Sequence, residues 1–188
     1  MSEVRLIGGQ WKRSKLQVLD KPGLRPTPNR VRETLFNWLG QDLSGWRCVD
    51  VFAGSGALGF EAASRGALQV VLVERDAALV RCLRDSQSRL KAINVQVEAG
   101  DGLAYLQRCA KASVNLVFLD PPFDANLFDA ALAAAAPVLT DAGWAYLEAN
   151  RAFTAAALQD AGWRLHRAGR AGAVFFHLLQ REAGQAAR

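Results

Sequence analysis

Downstream of Cys48 the chain alternates short runs rich in valine and leucine with longer stretches rich in alanine and arginine. Short apolar runs of this kind suit strands buried on both faces, and the longer stretches repeat apolar positions at helical spacing. That alternation admits few folds: a mostly parallel α/β sheet whose crossover helices cover both faces. Strands are expected over residues 48–52, 69–73, 95–98, 114–119 and 144–148, and helices over 58–64, 77–90, 102–109 and 127–136. The last stretch breaks the pattern. Residues 163–167 and 173–180 are strand-like and separated only by a turn centred on Gly169 to Gly172, which fits a closing antiparallel hairpin. With 188 residues, 51% of them hydrophobic, one well-filled core is within reach and two full domains are not.

Two smaller elements precede the sheet. Apolar runs at 4–7 and 16–19 flank Gly8-Gly9 and a basic stretch, the pattern of a hairpin-like arm with a basic tip. Thr27 is then placed to cap a helix whose first residue is Pro28, where a missing N–H does no harm. Val31, Leu35, Phe36, Trp38 and Leu39 recur at helical spacing, and Gly40 is the expected stop. Trp38, Trp46, Trp144 and Trp163 sit in apolar runs and are expected in the core. Trp11 lies among Gln10, Lys12 and Arg13, where it can stack on RNA or pack against the arm.

The first strand of the sheet runs through Phe52 and Ala53 into Gly54-Ser55-Gly56-Ala57-Leu58-Gly59 and a helix. Glycines let the backbone turn tightly and approach a ligand, and the helix start presents unpaired N–H groups. Glu74, followed by Arg75, closes the next strand and can hold ribose hydroxyls. This spacing does not by itself separate NAD from S-adenosylmethionine. Asp50 favours the latter, because a carboxylate there repels a pyrophosphate and suits a sulfonium cation. Further on, Asp101 in Gly100-Asp101-Gly102 can accept a hydrogen bond from an adenine amine, cap the next helix, or do both. The expected cofactor pocket thus comprises Asp50, Phe52, Ala53, Gly54, Ser55, Gly56, Leu58, Glu74, Arg75, Asp101 and Gly102.

Asp120-Pro121-Pro122-Phe123 closes the fourth strand, on the edge where open α/β sheets bind ligands. The exocyclic amine of a base is a poor nucleophile because its lone pair is delocalised into the ring. Asp120 can accept one amine hydrogen, while the prolines fix φ, remove N–H donors and leave carbonyls free for the other. Phe123 offers a face on which a base turned out of its stack can rest. The tetrapeptide points to methylation of a planar amine without choosing among guanine, adenine and glutamine.

Charge narrows the partner. Residues 1–32 hold eight basic side chains against Glu3 and Asp20, while the whole chain is only +5, so the front end carries the positive field and suggests a polyanion. Cys48, Cys82 and Cys109 form no Cys-x-x-Cys pair and are read as buried thiols; with only His166 and His177 besides, no metal site is expected. No apolar run approaches the ~20 residues of a membrane span. Residues 1–13 lack the apolar stretch of a secretory signal, so a cytoplasmic location is expected; a monomer with no membrane partner is expected besides.

Across nearly its whole length the sequence resembles the bacterial small-subunit ribosomal RNA guanine-N2 methyltransferases. The resemblance is carried by Gly8-Gly9, Arg25-Pro26-Thr27, Arg30-Val31-Arg32-Glu33-Thr34-Leu35-Phe36-Asn37-Trp38-Leu39, the Phe52-to-Gly59 loop and Asp120-Pro121-Pro122-Phe123. It implies a Rossmann-like class I methyltransferase, with a mostly parallel seven-stranded sheet and an antiparallel last strand. The implied donor is S-adenosylmethionine and the implied target one guanine of 16S ribosomal RNA, in the small subunit or an assembly intermediate. RNA contacts are expected from Trp11, Lys12, Arg13, Lys15, Arg25, Thr27, Arg30 and Arg32. The expected division is an arm over 1–24, a methyltransferase domain over 25–182 and a frayed tail over 183–188. Two segments depart from the family: Pro28-Asn29 where Thr-Asp is frequent, and Trp11-Lys12-Arg13-Ser14-Lys15 where a tighter Arg-Gly-Arg is common. Other readings are an adenine-N6 DNA or glutamine methyltransferase, an NAD-dependent oxidoreductase, and a non-catalytic RNA-binding module.

Overall fold

The computed structural model describes residues 2–21, 26–122 and 127–182. In chain order the elements are β1 (Ser2–Arg5), β2 (Lys15–Val18), α1 (Asn29–Trp38), β3 (Arg47–Asp50), α2 (Ala57–Ser64), β4 (Gln69–Glu74), α3 (Ala77–Leu90), β5 (Val95–Ala99), α4 (Gly102–Arg108), β6 (Val114–Leu119), α5 (Phe128–Ala135), β7 (Leu139–Ala149), α6 (Ala155–Asp160), β8 (Trp163–Ala171) and β9 (Val174–Arg181). The main sheet is seven-stranded in the order β5-β4-β3-β6-β7-β9-β8. Its strands are parallel except β9, which runs antiparallel to both β7 and β8. This is the Rossmann-like arrangement expected from the sequence. The strand order reverses between β3 and β6, so the loops leaving these two strands flank the crevice where such sheets bind ligands.

Side-chain alternation along the strands builds two cores. Cys48, Leu72, Phe118 and Tyr146 face one layer with Val31, Leu35, Phe36, Leu58, Phe60 and Leu83, which places α1, α2 and α3 on that side. Val49, Val71, Val117 and Leu147 face the other with Leu106, Phe128, Leu132 and Leu158, from α4, α5 and α6. The paired strands β1 and β2 join the first layer, because Leu6 and Leu16 are buried in it. Trp163 is fully buried, whereas Trp38, Trp46 and Trp144 are only partly covered; the expectation of four core tryptophans holds for one. Likewise Cys48 alone is a fully buried thiol, Cys82 and Cys109 being partly buried.

A buried carboxylate joins the arm to the sheet. Glu61 on α2 has no exposure; it accepts from the Ile7 and Gly8 amides at 2.9 and 2.8 Å, from Arg65 Nε at 2.9 Å and from Arg32 Nη1 at 3.1 Å. Arg32, equally buried, donates onward to the Arg5 carbonyl at 2.8 Å, the Asn29 side chain at 2.6 Å and the Thr27 carbonyl at 3.3 Å. Each charge is paired and multiply hydrogen-bonded, which is the condition for tolerating it in the interior.

The sequence-based elements need few corrections. Thr27 does not cap α1: the N-cap is Pro28 and no side chain caps it, because the Thr27 hydroxyl is turned to Glu148. β7 begins at Leu139 rather than at 144, with an irregularity in its pairing to β6 between Val114 and Leu116. The short helix α6 was not expected, since it buries only Leu158 and so carries no apolar period.

Glu61→Ala is expected to cost about 3–5 kcal/mol, because it leaves Arg32 buried without its partner. That corresponds to a Tm lower by roughly 6–20 °C for a chain of this size. Thermal unfolding measures the loss, and amide exchange at Ile7 and Gly8 should accelerate. An unchanged Tm would mean that the pair does not secure the arm.

Candidate active site

The turn after β3 has its glycines where the backbone demands them: Gly54 has φ +53° and Gly56, the N-cap of α2, has φ +76°. A Cβ at Gly59 would lie 2.1 Å from Leu72 Cδ2, so the third glycine lets α2 press onto β4. Glu74 spans the turn from below, accepting from the Gly54 amide and the Asp76 amide, both at 2.9 Å. Asp50 Oδ2 accepts from the Gly59 amide at 3.1 Å, while Oδ1 is buried without a partner. The start of α4 closes on the same turn: a Cβ at Gly102 would be 2.1 Å from the Val51 carbonyl oxygen. Asp101 caps α4 through the Ala104 amide at 2.8 Å and is itself exposed, as is Arg75.

These features define what the pocket can hold. An anion at the start of α2 would meet a carboxylate that already takes the Gly59 N–H, so the site does not fit a pyrophosphate. The unpartnered Asp50 oxygen and the Glu74 carboxylate fit a ligand that brings positive charge and hydroxyl donors. Phe52, Ala53, Ser55 and Leu58 line up along the same turn, with Ala53, Ser55 and Leu58 buried.

Because residues two apart share a face, Glu74, Asp50, Asp120 and Glu148 lie on one face at the carboxyl ends of four neighbouring strands, β4, β3, β6 and β7. Burial raises the Asp50 carboxyl from 3.8 to about 7, opposed by the Gly59 amide and assisted by the charges of Glu74 and Glu148. Burial, then the charges of Glu148 and Asp50, pushes Asp120 well above the ordinary carboxylate range. Glu148 is raised by burial too, against two hydroxyls that favour its charge: Thr27 Oγ1 donates to Oε1 at 2.7 Å and Tyr146 OH to the same oxygen at 2.9 Å. Among the described residues, no group of acids, histidines and cysteines could hold a metal ion. The row instead calls for a ligand rich in N–H and O–H donors.

Pro121 is buried and Pro122 exposed beyond Asp120, whereas Phe123 lies outside the described residues, as does Arg25. Two of the side chains expected to meet RNA are committed elsewhere. Arg32 is wholly buried against Glu61, and Thr27 is 5% exposed and bonded to Glu148. Lys12, Arg13 and Lys15 are exposed, but the arm's tip is bonded to Ser64 at the end of α2, about 12 Å of helix from the glycine turn. Trp11 is partly buried against the first core layer. Arg30 is exposed at the start of α1.

Sequence reading missed Glu148, although one signal was available: like Asp50 and Asp120, it is an acid at the carboxyl end of an expected strand. Its partners were not readable, since Thr27 is 121 residues away.

Comparison with known proteins places these features in context. The model of a family described as conserved hypothetical protein 95 matches residues 4–180. Ribosomal RNA small subunit methyltransferase D of Escherichia coli (strain K12) is 42% identical over 186 residues, covering 96% of this chain and 91% of that protein. The protein of the same description from Haemophilus influenzae is 44% identical over 133 residues, 69% of either chain. The solved structure of the Escherichia coli protein yhhF superimposes with a TM-score of 0.83 at 42% identity, covering 97% of this chain and 99% of that one.

The raised Asp50 carboxyl has a consequence for stability. A carboxyl that binds its proton more tightly when folded contributes stability that is complete below its unfolded value of 3.8 and is lost as pH rises through about 7. Without ligand, wild-type stability should fall across that window, and Asp50→Asn should flatten the fall. Urea unfolding at pH steps between these limits checks it; an equally steep slope in the variant would assign the titration to another group.

Proposed function

The chain belongs to the family described as conserved hypothetical protein 95, and from that premise we propose that it is an S-adenosylmethionine-dependent methyltransferase acting on the N2 amine of one guanine in 16S ribosomal RNA. Its substrate is the small ribosomal subunit or an assembly intermediate, in keeping with the description of its Escherichia coli relative. One observation carries the reading: Asp120 and the glycine turn leave adjacent strands, β6 and β3, at the point where the sheet order reverses.

Asp50, Gly54, Gly56 and Glu74 would hold S-adenosylmethionine, with Glu74 toward the ribose hydroxyls and the unpartnered Asp50 oxygen toward the positively charged end. Bound there, it supplies an electrophilic methyl group. Asp101 stands within the same edge for the adenine amine while capping α4. Asp120 accepts one hydrogen of the target amine and localises its lone pair. Because its pKa is raised, the Asp120 carboxylate is also a stronger base than an ordinary one and can take the proton that the methylated amine sheds. Pro121 and Pro122 keep competing N–H donors out of that position.

A groove of about 320 Å³ between α1 and the β8–β9 turn supports an RNA partner; Arg30, Thr34, Trp38, Arg170 and Phe176 are among the residues that line it. The turn lies at the substrate edge, since Phe175 at the start of β9 pairs with Ala149 at the end of β7. Exposed arginines beside a partly exposed tryptophan suit phosphate and base contacts.

Isotope-labelled methyl transfer should appear in small subunits from cells lacking the enzyme, and label confined to DNA or protein would reject the RNA assignment. Asp120→Ala should lower kcat about 10²- to 10⁴-fold without loss of cofactor affinity; full activity in that variant would overturn the catalytic role. The double variant Arg30→Ala, Arg170→Ala should weaken RNA binding and reduce the slope of log affinity against log salt by about 2. Filter binding across a salt series would show an unaltered slope if these arginines do not touch phosphate.

A further inference from the structure

We propose that Glu148 is the base-selecting residue of this site: it accepts the N1–H of the target guanine while Asp120 holds the adjacent N2 amine. The proposal rests on the methyltransferase reading above and extends it to the choice of base.

β6 and β7 are hydrogen-bonded in parallel, with Phe118 opposite Tyr146 and Leu119 opposite Leu147. Continuing that register by one residue brings Asp120 and Glu148 side by side, on the face already occupied by Phe118 and Tyr146. Burial displaces both carboxyls upward, and the charge of Glu148 adds to the displacement of Asp120. Glu148 is 3% exposed, and the salt bridges of the described residues give it no cation. A buried carboxylate with no cation depends on hydrogen-bond donors. Both internal hydrogen bonds, from Thr27 and Tyr146, converge on Oε1, which fixes the carboxyl plane and leaves Oε2 outside that pair.

The chemistry of the four RNA bases then decides. Guanine alone carries a ring N–H next to its exocyclic amine, so two neighbouring acceptors match its edge. Adenine and cytosine present a ring nitrogen lone pair at that position, which a carboxylate repels. A site built around a substrate donor discriminates strongly against an analogue lacking it, because the buried acceptor is left unpaired. Asp120 alone serves any planar amine, and Glu148 restricts the set to guanine.

The test uses small subunits reconstituted with RNA in which the methylated guanine, once mapped, is replaced by 2-aminopurine. That base keeps the amine and lacks the N1–H. Wild-type enzyme should prefer guanine by about 10²-fold or more in kcat/KM. In Glu148→Gln the amide can donate to the 2-aminopurine ring nitrogen, so activity on guanine should fall at least about tenfold and the preference should collapse. Thr27→Val removes one donor from the carboxylate and should narrow the preference while leaving the acid in place. Equal wild-type rates on the two bases would overturn the proposal, as would an undiminished preference in Glu148→Gln. Should that variant not fold, an undiminished preference in Thr27→Val does the same. A wild-type enzyme that methylates neither base in RNA would instead overturn the functional reading.

Discussion

Glu61 is the point through which the parts of this molecule are coupled. Its two oxygens hold the arm by the Ile7 and Gly8 amides, α1 by Arg32, and the end of its own helix by Arg65. Arg32 passes the constraint on by donating to the Thr27 carbonyl, and the Thr27 hydroxyl donates to Glu148 near the carboxyl end of β7. A continuous series of charge-assisted bonds therefore runs from the arm to the site. Such bonds are about twice as strong as neutral ones, and none can be left unmade in the interior without penalty. The arm is thus part of the packing behind the carboxyl end of β7, with its tip bonded to Ser64 at the end of α2.

The site is organised by a row of carboxylates rather than by a nest of free amides. Dinucleotide sites leave the helix start open to a pyrophosphate; here Asp50 takes the Gly59 N–H and keeps a second oxygen unpaired. Burial then raises Asp50, Asp120 and Glu148 together. Mutual repulsion disfavours their joint ionisation, and a ligand offering positive charge, hydroxyls and amine hydrogens relieves it.

Much of the fold was legible because hydrophobic period survives without tertiary knowledge. The limits of α3 and β6 agree with expectation at both ends, and the antiparallel closure followed from a short turn between two apolar runs. Failures occurred where local signals were weak or ambiguous. A threonine before a proline reads as a cap, yet its hydroxyl has a stronger partner in a buried carboxylate. Arg32 reads as a surface cation on a basic segment, yet α1 turns it inward onto Glu61. Three tryptophans in apolar runs stay partly uncovered because they lie at the edge of the core and not within it.

By itself the sequence determined the class of sheet, the glycine turn after β3 and the place of Asp120 at the end of β6. These depend on residues near one another in the chain, whose conformations follow from steric rules and period. Tertiary structure alone decided that Glu148 stands beside Asp120, that Thr27 and Arg32 serve the interior, and that the arm's tip is bonded to the far end of α2. Those outcomes depend on which strand neighbours which and on which buried charge finds a partner, and neither is set until the chain has closed on itself.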